Sequence, residues 1–419
     1  MQIVKGKYNE AVVLATNVDL ATLNQIHNLC DQKWVEGLHI VIQPDAHCGA
    51  GCVIGTTMTI KDKICPNLVG VDIGCGFLSY NLGKLDKVDF ELLDKCVHKV
   101  PSGMKVWDTH QNFEKSELIE ELECKDELKN IDRLNRSMGT LGGGNHAIEL
   151  GKSEKTGDYW LSVHSGSRNL GLQVADYYQE IASQLTTNMY DVRYNNEKED
   201  IINKLQKSGK QDKISEKLNE LKNKYNEITP PAELAYLTDE NYFGGKNGFR
   251  AYLHDHDICK TWAMCNRRAM LNNIIRMYNG GAKEKFEIYD MIETIHNYID
   301  TDHMILRKGS VSAQKGERFL LPINMAEGIY ICEGLGLKEY NYSAPHGAGR
   351  VGSRKQAKKT ITMEEYRKSM EGIYSTSISE GTLDEAPQAY KKSKDILPNL
   401  KESVKVIEHI KPVYNFKAE

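Results

Sequence analysis

The sequence lacks any run of about 18 apolar residues, the length that spans the apolar core of a bilayer. Its first residues, MQIVKG at 1–6, lack the apolar stretch of a secretion signal. The net charge is only −4, so the whole chain has none of the positive excess of many nucleic-acid-binding domains. We therefore expect a cytoplasmic protein without a membrane segment, in which any nucleic acid is bound by a local cluster of Arg and Lys.

No short disulfide framework can be found either. The 10 cysteines are scattered along the 419 residues, whereas small oxidised domains crowd theirs together. In a reducing compartment most of them should be small buried apolar residues, and one or two could be metal ligands.

Several segments predict secondary structure. Strands are predicted at 38–42, 53–60, 159–163, 319–321 and 329–331, and helices within 84–136 and at 257–278 and about 393–409, the last one ending before Pro412. We find no linker that divides the chain and no internal repeat, so we predict a single domain over 1–419.

Residues 193–228 differ in composition from the rest and are rich in Lys, Glu and Asn. Apolar side chains recur there at helical spacing, and residues 208–210 (SGK) break the stretch in two. The recurring residues are Ile214, Leu218, Leu221, Tyr225 and Ile228. This pattern predicts a helical hairpin inserted into the domain, either without a catalytic role or as a grip for RNA or a partner.

Two glycine-rich segments carry residues that suit a site, the first for a metal ion and the second for a ligand packed close to the backbone. Asp72 and Cys75 flank a turn after an apolar run, and His146 and Glu149 follow the glycines at 142–144. Carboxylate, thiolate and imidazole together suit Zn, Mn, Fe or Co. A buried cysteine beside a turn aspartate, and a flexible glycine loop, are the structural alternatives.

Further histidines stand at the ends of predicted elements. His164 ends a strand-like run shortly before Arg168, which suits a metal ion next to a phosphate, and His296 ends an amphipathic segment. Each of these histidines, taken alone, is equally well explained as a structural residue.

His346 opens the sharpest local pattern, HGAGR at 346–350. Small residues let a phosphate approach the imidazole, and Arg350 and Arg354 could neutralise the charge. Histidine accepts a phosphoryl or nucleotidyl group when its other ring nitrogen is oriented by a hydrogen bond. The alternative is a glycine-rich turn that holds a surface histidine.

The HDHD run at 254–257 looks like a metal tract, but successive residues point in different directions and rarely bind one ion. We expect Asp255 or Asp257 to be the N-cap of the helix that follows.

Together these segments resemble the RtcB family of RNA-splicing ligases along nearly the whole chain. The motifs that carry the resemblance, in the family's order, are QPDAHCG at 43–49, VGVDIGCG at 69–76, LGGGNHAIE at 141–149, HSGSR at 164–168, HN at 296–297, RKG at 307–309, HGAGR at 346–350 and SR at 353–354.

The resemblance implies an α+β fold: one large domain with β-sheets around a central metal and nucleotide cleft, flanked by helices. It implies that a pair of Mn²⁺ ions shares the thiolate of Cys75, with His164 and His296 on one ion and Asp72 and His146 on the other. It also implies a nucleotide site for GTP, formed by Asn145, His146, Glu149, His296, Asn297, Pro322, Ile323, Asn324, Met325, His346, Gly347, Ala348, Gly349 and Lys417.

The activity that the resemblance implies is the joining of an RNA 3′-phosphate or 2′,3′-cyclic phosphate end to a 5′-hydroxyl end, in tRNA splicing or RNA repair, with tRNA or rRNA as substrates. GTP would guanylylate His346, and the nucleotide would pass to the RNA to give an RNA-ppG intermediate. Candidates for holding RNA phosphates are Asp45, His47, Arg168, Arg350 and Arg354.

The chain departs from the family's pattern at a few positions. A Pro-Gly-Ser-Met stretch is expected where this sequence has Pro322 to Met325 (PINM), Ile329 replaces a serine, and Leu306 replaces a histidine. These changes leave open whether the nucleotide is GTP or ATP. The alternative function is a dinuclear-metal RNA phosphodiesterase or phosphatase that needs no charging of His346.

Overall fold

The computed structural model describes residues 2–16, 18–49, 51–113, 115–240 and 242–418. The helices are α1 (Leu20–Cys30), α2 (Phe90–Val97), α3 (Ile131–Asn135), α4 (Arg168–Lys207), α5 (Ile214–Ile228), α6 (Gly248–Gly281), α7 (Arg354–Thr360), α8 (Met363–Ser369) and α9 (Ser393–Ile396). Short 3₁₀ turns lie at Lys33–Val35, Pro66–Leu68, Ser116–Glu121, Lys125–Glu127, Gln211–Lys213, Ala232–Leu234, Lys338–Tyr340, Leu383–Glu385, Pro387–Ala389 and Leu397–Leu400.

The strands outnumber the helices and alternate with them along the chain. They are β1 (Gln2–Lys5), β2 (Glu10–Val13), β3 (Ile40–His47), β4 (Ile54–Thr59), β5 (Lys63–Ile64), β6 (Gly76–Asn81), β7 (Ala147–Ser153), β8 (Tyr159–Ser165), β9 (Leu237–Thr238), β10 (Tyr242–Phe243), β11 (Lys246–Asn247), β12 (Asp290–Ile295), β13 (Asn297–Asp300), β14 (Ile305–Lys308), β15 (Ser310–Ser312), β16 (Arg318–Asn324), β17 (Gly328–Gly334), β18 (Ser343–Pro345) and β19 (Val404–Lys417). The α+β class predicted from the sequence is confirmed.

A seven-stranded sheet in the order β12-β6-β8-β7-β19-β17-β16 positions most of the candidate site. All neighbouring strands in it are antiparallel. Cys75 and His146 immediately precede β6 and β7, whereas His164 lies near the end of β8, His296 follows β12, and Lys417 ends β19. Because neighbours run in opposite directions, these starts and ends meet at one end of the sheet.

A six-stranded sheet in the order β1-β2-β3-β4-β14-β13 supplies the other side of the site. Its strand β3 carries Asp45 and His47, and the pairing of β3 with β4 is irregular between Ile42 and His47. A two-stranded ladder of β15 and β18 leads the chain into His346.

Helix α6 links the two apolar cores that lie beneath these sheets. Tyr252 and Trp262 in its first half belong to the core of the six-stranded sheet. Met270 and Ile274 in its second half belong to the core of the seven-stranded sheet. Burial of both halves fixes the helix relative to both sheets.

The structure corrects the helix predicted at 393–409. Only Ser393–Ile396 is α-helical, and residues 404–417 form the long strand β19. Its backbone pairs with β7 on one side and β17 on the other, which outweighs the helix propensity of its Lys and Glu residues. Pro412 has no N–H to donate and lies where the pairing with β7 is irregular.

The helical interpretation of 84–136 is also wrong for most of that range. Among the described residues of that range, only α2, α3 and two 3₁₀ turns form. Lys115 and Asn130 adopt left-handed backbone angles, with φ of 56° and 57°. A right-handed helix cannot continue through such residues, so charged composition alone misled the prediction.

The predicted N-cap of the buried helix is wrong as well. α6 begins earlier, after Asn247, whose side chain accepts a hydrogen bond from the first turn. Asp255 and Asp257 lie within the helix. The buried Asp255 carboxylate instead accepts the backbone N–H groups of Glu123 and Cys124, at 2.8 and 2.9 Å. It satisfies the donors of another segment rather than those of its own helix.

Strand β3 continues to His47, past the predicted end at 42, and the strands predicted at 319–321 and 329–331 are confirmed within the longer β16 and β17. The helical pair that contains 193–228 begins further upstream, because α4 starts at Arg168. None of the helices in the described ranges is both long and apolar enough to cross a membrane.

Candidate active site

Three buried donor atoms converge at the end of the seven-stranded sheet. The Cys75 Sγ lies 3.3 Å from His164 Nε2 and 3.6 Å from His146 Nε2, and the donor atoms of the three residues lie within 4.8 Å of one another. Asp72 Oδ2 extends the group, at 3.1 Å from His146 Nε2. His296 adjoins it, with its ring centroid 5.2 Å from that of His164.

Backbone carbonyls fix which nitrogen of each imidazole faces this group. His146 Nδ1 lies 2.8 Å from Leu141 O, and His164 Nδ1 lies 3.1 Å from Asn145 O. A carbonyl only accepts hydrogen bonds, so each Nδ1 carries the proton and each Nε2 presents its lone pair to the other donors. This orientation is typical of metal-binding histidines, and the residues therefore fit a metal ion.

The electrostatics of the cluster agree with that fit. Burial lowers the pKa of His164 and His296 well below the usual value, which keeps both imidazoles neutral as metal ligands require. Burial, together with Asp72, raises the pKa of the Cys75 thiol. Burial alone would also raise the pKa of Asp72, but its interaction with His146 holds the pKa below its usual value. A cation among these groups would favour the thiolate.

Two glycines let the backbone approach these ligands. A Cβ on Gly142, whose φ is +90°, would collide with the His146 ring and with the Arg168 guanidinium. A Cβ on Gly166 would collide with the Asp72 carboxylate. The glycines of the two motifs are therefore required by packing around the cluster.

His346 lies beside this cluster, with its ring centroid 4.9 Å from that of His296. Its Nδ1 is 2.7 Å from Oδ2 of the fully buried Asp45. Because the carboxylate faces Nδ1, Nε2 is the nitrogen left for chemistry. His47 Nδ1 contacts Asp45 O at 3.0 Å, and burial lowers the His47 pKa.

A cavity of about 810 Å³ opens in front of His346, a volume typical of a small-molecule site. Its walls include these predicted residues: His47, Asn145, Glu149, His164, Pro322, Ile323, Asn324, Met325, His346, Gly347, Ala348, Gly349, Arg350, Arg354 and Lys417. Within the described ranges, His146, His296 and Asn297 do not line it. His146 and Asp72 instead line a second cavity of about 480 Å³, which shares Asn145 and Arg354 with the first.

Glu149 and Asn415 form a polar pair in the wall of the large cavity. Asn415 Nδ2 donates to Glu149 Oε2 at 2.9 Å. Burial raises the pKa of Glu149 to about 8, against the opposing effects of Asn415 and Lys417. Glu149 Oε1 and Asn415 Oδ1 have no hydrogen-bond partner in the part of the chain that the structure describes. Both are therefore available to a ligand that offers donors.

Cations gather around one buried acid, Glu385, which lines the second cavity. Glu385 Oε2 accepts Lys417 Nζ at 3.2 Å, and its other oxygen accepts Arg354. Arg350 lies over the ring of Tyr390 and also reaches Glu385. Burial would raise the pKa of Glu385, but Lys417 and Arg354 hold it at about 2. The ionised carboxylate thus orders the cations of the cavity.

Arg168 lies by the group of donor residues Asp72, Cys75, His146, His164 and His296, called here the metal cluster, rather than by the large cavity. Its Nε donates to Thr140 Oγ1 at 3.1 Å and its Nη2 to Gly103 O at 2.7 Å. The remaining Nη1 faces Gly142. The candidates for RNA phosphates therefore fall into separate places: Asp45 and His47 beside His346, Arg350 and Arg354 around Glu385, and Arg168 behind the glycine loop.

Sequence reasoning missed Glu385, Tyr390 and Asn415. Glu385 and Tyr390 come from a segment of short 3₁₀ turns without a periodic pattern. Asn415 could have been found from strand alternation, because it points to the same face of β19 as Lys417. The misassigned helix concealed that signal.

The departures from the family pattern are packed as core residues. Ile323 and Ile329 are each 3% exposed and also line the cavity, while Leu306 is fully buried under the six-stranded sheet. Asn324 Oδ1 caps the following turn by accepting two backbone N–H groups. At Ile323, Asn324 and Ile329 the cavity wall is therefore tightly packed.

Comparison with known proteins agrees with the motifs. A family model described as tRNA-splicing ligase RtcB matches residues 25–418. The chain is similar to the RNA-splicing ligase RtcB of Escherichia coli, at 27% identity over 90% of this chain and 89% of the relative. It is also similar to the tRNA-splicing ligases RtcB of Aeropyrum pernix, at 27% identity over 88% and 85%, and of Thermococcus kodakarensis, at 24% identity over 85% and 82%.

Proposed function

This chain belongs to the RtcB family and is an RNA ligase, and on that premise we propose that it activates RNA ends with GTP through a covalent nucleotide on His346. The observation that carries the proposal is the position of His346 between the metal cluster and the large cavity. Its Nδ1 faces Asp45 at 2.7 Å, and its ring lies 4.9 Å from His296. The residues that hold a nucleotide and those that hold a metal thus meet at one imidazole.

In the first step, the lone pair of His346 Nε2 attacks the α-phosphorus of GTP. The new N–P bond replaces the bond to the β-phosphate, and pyrophosphate leaves. The ring gains positive charge as this bond forms. The buried Asp45 carboxylate beside Nδ1 stabilises that charge and holds the ring in orientation.

In the second step, an oxygen of the RNA 3′-phosphate attacks the same phosphorus and the N–P bond breaks. The imidazole returns to its neutral form, and the RNA carries a diphosphate linked to guanosine. The RNA 5′-hydroxyl then attacks the 3′ phosphorus, its proton passes to solvent, and GMP leaves. A 2′,3′-cyclic phosphate first adds water and opens to the 3′-phosphate.

Asp72, Cys75, His146, His164 and His296 would hold the metal, which we propose to be a pair of Mn²⁺ ions. Bound metal supplies Lewis acidity to phosphate oxygens and lowers the pKa of a hydroxyl. The protein itself contributes the fixed direction of the imidazole lone pairs. Leu141 O and Asn145 O set that direction, so no reorientation is needed when phosphate arrives.

The open acceptors of Glu149 and Asn415 support guanine over adenine. The guanine edge carries neighbouring N–H donors at N1 and N2, and the corresponding adenine edge presents an acceptor at N1. Among the described residues, Glu149 Oε1 and Asn415 Oδ1 both lack a hydrogen-bond donor. A base bound there would place its phosphates toward His346 and the cations around Glu385.

The second cavity supports a site for one RNA end. It borders the side of the metal cluster formed by Asp72 and His146, and Arg354 and Lys358 lie in its wall. The two cavities share Asn145, so an RNA end in one and a nucleotide in the other would meet at the metal cluster. We propose that broken or spliced RNA ends, as in tRNA or rRNA, enter there.

The test is covalent labelling with GTP carrying ³²P at the α-position, in the presence of Mn²⁺. The wild type should retain an acid-labile, base-stable label, as expected for an N–P bond, and His346→Ala should retain none. His303→Ala, altered at an exposed residue on the turn after β13, is the matched control and should label normally.

Label on His346→Ala would show that another residue is the nucleophile. A wild type that takes no label from any of the four nucleoside triphosphates, yet hydrolyses RNA phosphoesters, would favour the metal-dependent phosphodiesterase instead.

A further inference from the structure

Helix α6 carries two adjacent polar residues, Asn266 and Arg267, between the two apolar cores that it fills. Both are fully buried, at 0% exposure. Burying a guanidinium is costly unless its hydrogen bonds are satisfied. The steps proposed above use neither residue. The hydrogen-bond partners of Asn266 and Arg267 must therefore explain why these polar side chains are buried.

Arg267 ties together two segments that carry metal ligands. Its Nη1 donates to Gly74 O at 2.7 Å and to Ser165 O at 2.8 Å. Gly74 is bonded to Cys75, and Ser165 is bonded to His164. The charge is balanced by Glu293, whose Oε1 lies 3.0 Å from Nη2. One nitrogen thus sets the distance between the backbone segment that carries Cys75 and the segment that carries His164.

Asn266 ties in the third segment. Its Oδ1 accepts the N–H groups of Gly139 and Thr140, at 2.7 and 3.0 Å. Its Nδ2 donates to Ser165 Oγ at 3.2 Å and to Gly166 O at 3.0 Å. The amide therefore joins the turn that follows α3 and leads into the glycine loop to the turn that packs against Asp72.

A hydrogen-bond chain runs from this amide to a metal ligand. Asn266 Nδ2 donates to Ser165 Oγ, and Ser165 Oγ donates to Leu141 O at 2.8 Å. Leu141 O is the carbonyl that accepts His146 Nδ1. The orientation of the His146 ring thus depends on a residue of α6 that does not touch it.

We propose that Asn266 and Arg267 are positioning residues that set the spacing of the metal donors before any ion binds. Both apolar cores hold α6, so the pair is a rigid reference for segments that are far apart in sequence. The inference rests on the metal-binding part of the proposed function.

Arg268 provides a matched control on the same helix. It also pairs with Glu293, at 3.0 Å to Oε2, but its side chain is 42% exposed. Within the described ranges, it makes no hydrogen bond to the backbone beside Cys75 or His164. Replacement of either arginine by methionine removes one partner of Glu293, while only Arg267→Met also releases Gly74 and Ser165.

The experiment is titration of the full-length, metal-free protein with Mn²⁺, followed by electron paramagnetic resonance. Removal of groups that orient metal ligands typically weakens metal affinity 10–100-fold. We expect a loss of that size, with a changed spectrum of bound Mn²⁺, for Arg267→Met, and affinity within about twofold of wild type for Arg268→Met. Arg267→Lys should recover part of the loss, because one ammonium can still reach a carbonyl.

Wild-type affinity and spectrum in a folded Arg267→Met protein would overturn the proposal. Circular dichroism of the metal-free variants establishes folding. If Arg267→Met does not fold, Asn266→Asp decides: it keeps the acceptor for Gly139 and Thr140 but turns a second oxygen toward Ser165 and Gly166. Weakened Mn²⁺ binding there supports the proposal and unchanged binding refutes it. A wild type that binds Mn²⁺ but takes no nucleotide label would refute the role of His346 alone.

Discussion

The metal cluster and the large cavity are neighbours that are built in different ways. The donors of the cluster lie beside neighbouring strands of one sheet, and backbone carbonyls orient the rings of His146 and His164. The cavity wall is assembled from both sheets, the loop at 346–353 and Tyr390, which follows the short turns. The cluster is therefore constrained by sheet geometry, whereas the cavity depends on side chains that can change one at a time.

The positions that depart from the family pattern follow this division. Ile323 and Ile329 are in the cavity wall, and Leu306 is in a core. The predicted metal ligands and His346 are all retained. The difference teaches that a group of donors fixed by one sheet lies beside a cavity wall whose side chains can vary.

The largest effect is expected at the cluster. Cys75→Ala should lose the bound metal and lower ligation by at least about a thousandfold, because a ligand common to the metal site is removed. Metal content by elemental analysis and ligation of a 3′-phosphate RNA are the measurements. Cys96→Ala, in the core of the seven-stranded sheet, is the control and should keep its metal. Near-normal metal content in Cys75→Ala would show that the cluster, like the cavity wall, tolerates the loss of a single side chain.

A smaller effect is expected in the cation network of the cavity. The pKa of Glu385 is depressed to about 2 from an ordinary 4.5. Its ionised form thus stabilises the fold fully above pH 4.5, and the contribution is lost as the pH falls toward 2. Glu385→Gln should lower the free energy of unfolding at pH 7 by about 3 kcal/mol.

Urea unfolding at pH 7 and at low pH measures this loss. The wild type should approach the stability of Glu385→Gln as the pH falls from 4.5 toward 2. Glu371→Gln, at an exposed position after α8, should change stability by less than about 0.5 kcal/mol. A constant difference between wild type and Glu385→Gln across this pH range would contradict the role given to the carboxylate.

The smallest effect concerns base recognition. Burial raises the pKa of Glu149 to about 8, and the donors of guanine favour the ionised carboxylate. GTP affinity should therefore rise about fivefold from pH 7 to pH 8 and about tenfold in all before it levels off above about pH 9, since one proton must leave on binding. Titration calorimetry of wild type and Glu149→Gln would measure it. A pH profile shared by both proteins would remove Glu149 from recognition.

Residue patterns predicted which residues gather at the site better than they predicted the order of the strands. Short motifs mark His346 and the candidate ligands, because close packing around a site imposes glycines and fixed residue types locally. Strand order is set by pairing between distant segments, so nothing in residues 404–417 announces that they pair with β7 and β17. Glu385 was missed for the same reason, since its role depends on Lys417 and Arg354, which reach it only in the folded chain.

The antiparallel sheet also gives the molecule two rims of opposite character. The turn at 154–158 joins β7 to β8 at the far rim, a full strand length from His146 and His164. Substitutions or insertions in that turn reach the reacting atoms only along β7, β8 and the neighbouring β19, which Glu154 contacts at His409. The far rim is therefore free to acquire new loops and new surface chemistry in evolution, while the near rim must keep its residues in place.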